Sequence, residues 1–336
     1  MADQAWRIVV RTTGGPEAME REDFDPGLPG TGEVLIAQEA IGLNFIDTYV
    51  RSGLYPVPLP MGLGNEAAGR IEAVGSGVDT VRVGDRVAYV DIQYGSYTTH
   101  RILSAGRVLK LPDAIACDMA AAMMLKGMTA CFLVEDCAKM QSGQTALVHA
   151  AAGGVGLILV PWLTDMGVTV IAHSGTAAKA DLARKAGAHY SLTGPFEALA
   201  DEVRKITNGK GVDTVFDGVG KASWAASLDS LKRRGLMISF GNASGPVPPV
   251  RLLDLSQAGS LFVTRPTLFN YIETDEEYHH MGERLFDRIQ RGVITSHIGQ
   301  RYSLAYAAEA HKALESRSTT GSTVLMTQTR SVRIPT

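Results

Sequence analysis

The chain has 336 residues, with 32 basic against 35 acidic side chains and a net charge of −3. That balance, scattered along the sequence, gives nucleic acid or an anionic membrane surface no electrostatic footing. At 45% hydrophobic and 20% charged the composition is that of a globular protein, and the length accommodates two domains. The first hundred residues read as short strands broken by glycine turns. Val34 to Ala37 is one, and Arg70 to Val74 is another, closed by Gly75-Ser76-Gly77. Arg86 to Val90 follows the turn Val83-Gly84-Asp85. Strands at this spacing suggest a β-rich domain such as a partly open barrel. A short helix at residues 45–51 interrupts it, with Asn44 placed to cap the amino end.

From about residue 143 the rhythm changes. Apolar strands at residues 146–149, 168–172, 189–192, 212–216 and 236–240 alternate with helices. The first helix ends near Gly167, and others cover residues 177–185, 202–206 and 222–231. Such alternation predicts a doubly wound parallel sheet, making the chain an α/β protein. Pro161 is expected to kink or break the first of these helices. Thr274 then caps a helix with Asp275, Glu276 and Glu277 in its first turn and Leu285, Phe286 and Ile289 on its apolar side. A strand at 298–302, a helix at 305–315 and a strand at 323–326 complete the pattern.

The segment Ala150-Ala151-Ala152-Gly153-Gly154-Val155-Gly156 lies between a predicted strand and a predicted helix. Small residues there let a backbone approach a pyrophosphate, while the helix start supplies N–H donors and a positive dipole end. By itself a glycine turn is weak; at the head of a run of βα units it predicts a dinucleotide site. About twenty residues on, an NAD site usually carries Asp or Glu for the ribose diol. Here Ala172-His173-Ser174-Gly175-Thr176-Ala177-Ala178-Lys179 has no carboxylate. The Ser174 and Thr176 hydroxyls with the Lys179 ammonium suit a 2′-phosphate, so NADPH is the expected cofactor. The alternative is that Lys179 is merely an exposed first-turn residue.

Read together, several segments resemble the zinc-independent quinone oxidoreductases of the medium-chain dehydrogenase/reductase superfamily, relatives of zeta-crystallin, and are similar to their bacterial NADPH-dependent members. They are Gly42-Leu43-Asn44-Phe45-Ile46-Asp47-Thr48-Tyr49, Arg51-Ser52-Gly53-Leu54-Tyr55-Pro56, Gly64-Asn65-Glu66-Ala67-Ala68-Gly69 and Leu125-Lys126-Gly127. The glycine turn, residues 234–242 and Val263-Thr264-Arg265-Pro266 extend the match nearly end to end. The resemblance implies a GroES-like catalytic domain from residues 1–126 and 267–336, with a Rossmann NADPH-binding domain, 127–266, inserted between its halves. It implies a cofactor in the cleft between them and a homodimer joined through sheet edges near residues 261–264. Asn44 would sit at the nicotinamide, and Gly153, Gly154 and Val155 at the pyrophosphate. Ser174, Gly175 and Lys179 would hold the 2′-phosphate region. Phe240, Gly241, Asn242, Val263 and Thr264 would line the nicotinamide side, Arg317 would reach back from the C-terminal segment, and Lys126 and Thr129 would join the cofactor contacts. Two positions depart from similar enzymes: Thr193-Gly194-Pro195 replaces a tyrosine that supports the 2′-phosphate region, and Cys131 stands at an aromatic position.

Zinc-dependent alcohol dehydrogenases of the superfamily use a Gly-His-Glu segment and separated cysteines, whereas this chain has Gly64-Asn65-Glu66 and no Cys before residue 117. Three or four placed N or S donors are not in prospect, so metal-free chemistry is expected. A quinone or conjugated carbonyl is electrophilic enough to accept hydride once positioned. Tyr49 and Tyr55 would orient or stack on it, or else simply pack; Arg265 would steady oxyanion charge. Lys126 on its own reads as a charge near a helix end, and Lys232-Arg233-Arg234 as the basic end of another helix. His279-His280 reads as a solvated face. No apolar run reaches the roughly 18–20 residues of a membrane span, residues 1–11 lack the apolar core of a secretory leader, and three cysteines without ligand spacing fit a reducing, cytoplasmic setting. The rival activity is NADPH-dependent enone or enal double-bond reduction. RNA-binding or structural roles associated with zeta-crystallin relatives find no basic stripe or stacking platform here.

Overall fold

The computed structural model describes residues 4–327, and the chain divides into two compact units. Unit 1 takes residues up to 126 together with 274–286 and the segment from 296 onward; unit 2 takes 127–273 and 287–295.

In unit 1 the chain runs β1 (Trp6–Val10), β2 (Met19–Asp23), β3 (Glu33–Leu43), α1 (Phe45–Arg51), β4 (Met61–Gly62), β5 (Glu66–Val74), β6 (Arg86–Val90), β7 (His100–Ser104) and β8 (Leu109–Lys110). Helix α2 (Cys117–Cys131) then continues as a π-helical stretch, Phe132–Cys137. This 21-residue helix is long and apolar enough to cross a membrane, contrary to the sequence expectation, yet 78% of its window is buried inside the protein. It is a core helix, and its small residues, Ala120, Ala121, Ala122 and Ala130, permit close packing.

Unit 2 holds β9 (Thr145–His149), α3 (Gly156–Asp165), β10 (Thr169–Ser174), α4 (Ala177–Lys185), β11 (Tyr190–Thr193), α5 (Phe196–Ile206), β12 (Val212–Asp217), α6 (Trp224–Ser230), β13 (Leu231–Ser239), α7 (Leu252–Gln257) and β14 (Phe262–Thr264). Its six strands form a wholly parallel sheet in the order β11-β10-β9-β12-β13-β14. The central strands are apolar on both faces because helices cover both, as in Ala146, Leu147 and Val148 of β9. The doubly wound sheet is as the sequence predicts.

After α8 (Asp275–Gln290) the chain returns through β15 (Ile298–Ser303), α9 (Ala307–Glu315) and β16 (Ser322–Met326). Strand β16 pairs antiparallel with β3, setting Met326 opposite Ala40. This completes a seven-stranded sheet, β15-β16-β3-β5-β6-β8 with β7 also on β3; β2-β1-β4 form a second, smaller sheet. The predicted cap of α8 is present as a reciprocal pair, Thr274 N–H donating to Glu277 Oε2 at 3.0 Å and Glu277 N–H to Thr274 Oγ1 at 3.2 Å.

Four local expectations are corrected. Helix α3 runs unbroken through Pro161, five residues after Gly156, so the lost N–H costs one bond without ending the helix. Lys232, Arg233 and Arg234 end no helix; they lie in β13, where Lys232 pairs with Asp213. They fall in the irregularity between the Val212–Leu231 and Thr214–Leu236 pairs, and Arg234 takes φ +61°, outside the range of a right-handed helix. His279 is not simply solvated, since its Nε2 lies 3.0 Å from the Gly106 carbonyl, while His280 is exposed. Lys126 lies inside α2 rather than at a helix end, with consequences for the site below.

Candidate functional site

In unit 2 the dinucleotide turn follows β9 directly. Ala150 takes φ +49°, and Gly156 begins α3 so close to the turn that a Cβ there would meet Ala150 O and Ala151 Cα at 2.6 Å. Only glycine allows the helix start to sit this tightly against the strand end, which aims its first N–H groups out of the turn. Val155 precedes the helix with αR geometry, and Leu157 N–H donates to the Gly153 carbonyl at 2.9 Å.

At the end of β10, Ser174 is buried and its Oγ has no hydrogen-bond partner. A buried orphan hydroxyl is costly unless something fills the demand, and a phosphate oxygen would. Thr176 Oγ1 accepts from Lys179 N–H at 3.3 Å and so caps α4, leaving Lys179 in the first helical turn with its side chain partly exposed. Gly175 is exposed, with open space around its α-carbon. These residues fit the phosphates of NADPH.

The loops after β12 and β13 close on each other: Ala243 N–H reaches Gly218 O and Ser244 N–H reaches Val219 O, at 3.2 and 2.8 Å. A Cβ on Gly241 would lie 2.4 Å from Gly218 O, and Phe240 rests its ring against Gly218. Asn242 lies in the same loop. Arg265 Nη1 donates to Ser239 O at 2.8 Å and Gly241 O at 3.1 Å, so its guanidinium shapes the backbone of Phe240 and Gly241. Val263 and Thr264 belong to the edge strand β14.

Sequence reasoning missed the polar core beneath these loops. Asp217, fully buried at the end of β12, accepts from Val219 N, Gly220 N, Ser223 Oγ and Ser227 Oγ at 2.6–3.1 Å. Because the Ser227 hydrogen goes to Asp217, His149 must donate from Nε2 to Ser227 Oγ, 2.9 Å away. Its Nδ1 is then a buried acceptor with no partner. Burial holds the imidazole neutral, pushing its pKa down to about 4. His173 Nε2 lies 3.2 Å from Gly194 O, and burial lowers its pKa too. Its ring stands 4.9 Å from that of Phe196. The available signal was position, both histidines lying at or next to the carboxyl ends of adjacent parallel strands.

In unit 1, Asn44 caps α1 as predicted, but through its backbone: Asn44 N–H donates to Asp47 Oδ2 at 2.9 Å. Its side-chain Nδ2 donates instead to Glu66 Oε1 at 2.7 Å. Glu66 is fully buried on β5 and also accepts from Lys126 Nζ at 3.2 Å and Leu125 N–H at 2.5 Å. Lys126 is thus one half of a buried ion pair. Thr129 follows it by three residues on α2, hence on the same side of the helix. Tyr49 and Tyr55 are partly exposed with ring centroids 5.3 Å apart at 59°. Tyr94, not anticipated, belongs with them: burial first, then Asp47 and Tyr55, push its phenol up to about 12. Arg317 is exposed beyond α9 and takes φ +59°. A cavity of about 360 Å³ elsewhere in unit 1 is lined by Arg7, Arg11 and Arg101, each already paired with an acidic side chain.

The residues do not fit a zinc ion. Asn65 spends Nδ2 on Asp91 O at 2.7 Å, and among the described residues no group of three His, Cys, Asp or Glu is placed to share a metal.

Residues 30–113 match the alcohol dehydrogenase GroES-like domain, and residues 154–287 match the family described as zinc-binding dehydrogenase. The chain is 50% identical over 323 residues to a quinone oxidoreductase of Pseudomonas aeruginosa, covering 96% of this chain and 99% of that protein. It belongs to the quinone oxidoreductase family of the medium-chain dehydrogenase/reductases. The solved Escherichia coli quinone oxidoreductase complexed with NADPH superposes with a TM-score of 0.92 at 45% identity, covering 96% of this chain and 99% of that one. A 2-haloacrylate reductase from a Burkholderia species is 42% identical over 95% of this chain and 98% of its own length. The family match accounts for the α/β plan of GroES-like and Rossmann parts.

Proposed function

We propose that this protein is an NADPH-dependent quinone oxidoreductase that works without a metal. The observation that carries the cofactor choice is the buried, unpartnered Ser174 hydroxyl beside a carboxylate-free turn. The glycine turn at Gly153, Gly154 and Val155 would receive the pyrophosphate, and Ser174, Gly175 and Lys179 the 2′-phosphate. Phe240, Gly241, Asn242, Val263 and Thr264 would line the nicotinamide side. Asn44, Lys126, Thr129 and Arg317 would add further contacts to NADPH. NADPH supplies the hydride when bound. The protein's own task is to orient and to exclude water: Tyr49 and Tyr55 offer an aromatic, hydroxylated wall to a quinone, and Asn44 and Lys126 present buried donors near it. Arg265 acts on the oxyanion through the loop it holds. The stoichiometry is quinone plus NADPH plus a proton giving hydroquinone and NADP⁺.

Similarity to the Burkholderia 2-haloacrylate reductase supports a second reading, reduction of a conjugated double bond. Incubation with NADPH and either a para-quinone or an enal, followed by product identification, separates them: hydroquinone supports the first reading, a saturated carbonyl the second.

A homodimer through β14 is part of the proposal. Phe262 is 61% and Leu252 81% exposed, an apolar surface beside an unpaired strand edge. Cys117, Cys131 and Cys137 form no disulfide among the described residues, which suits a cytoplasmic setting, and neither nucleic acid nor membrane is an expected partner.

A further inference from the structure

A buried hydrogen-bonded chain in unit 1 ends on Asp47, and its polarity is fixed from the far end. Arg51, 2% exposed, can only donate: Nη2 to Glu315 Oε1 at 2.6 Å, Nε to Gly14 O at 3.1 Å and Nη1 to His311 Nδ1 at 2.9 Å. His311 must therefore carry its hydrogen on Nε2, and it donates to the Tyr97 oxygen 3.0 Å away. The Tyr97 hydrogen is left to point at Asp47 Oδ2, also at 3.0 Å. That oxygen accepts the Asn44 N–H as well. Asp47 Oδ1 is buried and has no partner. A proton arriving on Asp47 goes to Oδ1, so it changes the charge of the site without breaking either bond to Oδ2.

The charges around Asp47 make that change matter. Glu66 on β5 faces it with Lys126 on α2, and these two cancel. Arg51 is matched by Glu315. Tyr97 and Tyr94, from the segment after β6, and His311 on α9 are uncharged near neutrality, burial holding both phenols up and the imidazole down at about 3. Asp47 alone then decides whether the surroundings of Asn44 are neutral or carry one negative charge. Burial first, then repulsion from Glu66, pushes its carboxyl up to about 7, against the pull of the Asn44 and Tyr97 hydrogen bonds and Lys126.

We propose that Asp47 is a positioning residue for acceptor reduction: protonated, it leaves Asn44 and the Lys126 ammonium in neutral surroundings that tolerate negative charge growing on the acceptor oxygen, and ionised, it opposes that charge. The role rests on the oxidoreductase reading above. Hydride arrival at a quinone places an electron pair on oxygen, and a like charge in low-dielectric surroundings raises the barrier to it. Solvent supplies the proton that completes the hydroquinone. Asp47 gives up no atom in the reaction.

The test is single-turnover oxidation of bound NADPH by a para-quinone from pH 5.5 to 8.5, with NADPH affinity and the carboxyl infrared band recorded at each pH. The wild type is expected to slow three- to tenfold as pH rises through neutrality, while a protonated-carboxyl C=O band fades over the same range. Asp47→Asn, which keeps an acceptor for both bonds and stays neutral, is expected to hold the low-pH rate throughout and to lack the band. Tyr97→Phe removes a bond that favours the ionised form, so its midpoint should move to higher pH. An Asp47→Asn profile with the wild-type midpoint, or no such band in the wild type at pH 5.5, would overturn the proposal. Bound NADPH that reduces no acceptor would overturn the oxidoreductase reading and this role with it, a result told apart because the band titrates whether or not turnover occurs.

Discussion

At the carboxyl end of β10 a buried hydroxyl and a first-turn ammonium stand where a carboxylate would meet a ribose diol. Lys179→Ala would remove the proposed charge-assisted contact with the 2′-phosphate, worth about 1.5–3 kcal/mol, so NADPH affinity should fall roughly ten- to hundredfold with NADH affinity unmoved; titration of each nucleotide checks it. Ser174→Ala should cost less, about 1 kcal/mol. Asp47 and His311 make opposite demands on stability. His311, held down at about 3, binds fewer protons folded than unfolded between there and its ordinary 6.5, so its contribution is lost as pH falls through that window. Asp47, raised to about 7, binds more protons folded, so its contribution falls as pH rises from about 4 to 7. In Asp47→Asn the opposing carboxyl slope is gone, and the urea midpoint should drop more steeply on acidification than in the wild type. At this scale the sequence disclosed Asn44 as a cap, because that signal is local. It concealed the Asn44–Glu66–Lys126 cluster, whose members are 22 and 60 residues apart and meet only through the sheet.

The elements were legible where periodicity and caps agree, as in α1 and α4, whose bounds match the expectation. They were misjudged where the surrounding fold overrode local character. Lys232 to Arg234 looks like a helix end but extends β13, and the apolar 117–137 stretch was not read as one helix at all. Gly42 shows how tightly elements constrain each other: a Cβ there would lie 2.1 Å from Glu66 Oε1 and 2.3 Å from Ala121 O, so β3, β5 and α2 meet at one hydrogen atom. Gly42→Ala should destabilise unit 1 by about 1–3 kcal/mol, the usual range for overpacking. Because the displaced group is the carboxylate that holds Asn44 and Lys126, quinone turnover should fall even at temperatures where denaturant melts show the variant folded.

For the whole molecule, alternation of strand and helix made the parallel sheet of unit 2 readable. The mixed sheet of unit 1 was not, since β16 must find β3 from the other end of the chain, and no local pattern encodes that register. Assembly is also decided at this scale. Phe262→Glu places a charge on the exposed edge strand and should convert the proposed dimer to a monomer in analytical ultracentrifugation, with NADPH binding retained. The central claim, metal-free and NADPH-selective reduction of a quinone, is tested most directly on protein dialysed against a chelator, following NADPH and NADH oxidation in parallel with a para-quinone. Rapid turnover with NADPH, at least tenfold slower turnover with NADH, and no loss on chelation are expected. Equal rates with both nucleotides, or activity lost to the chelator and restored by zinc, would contradict it.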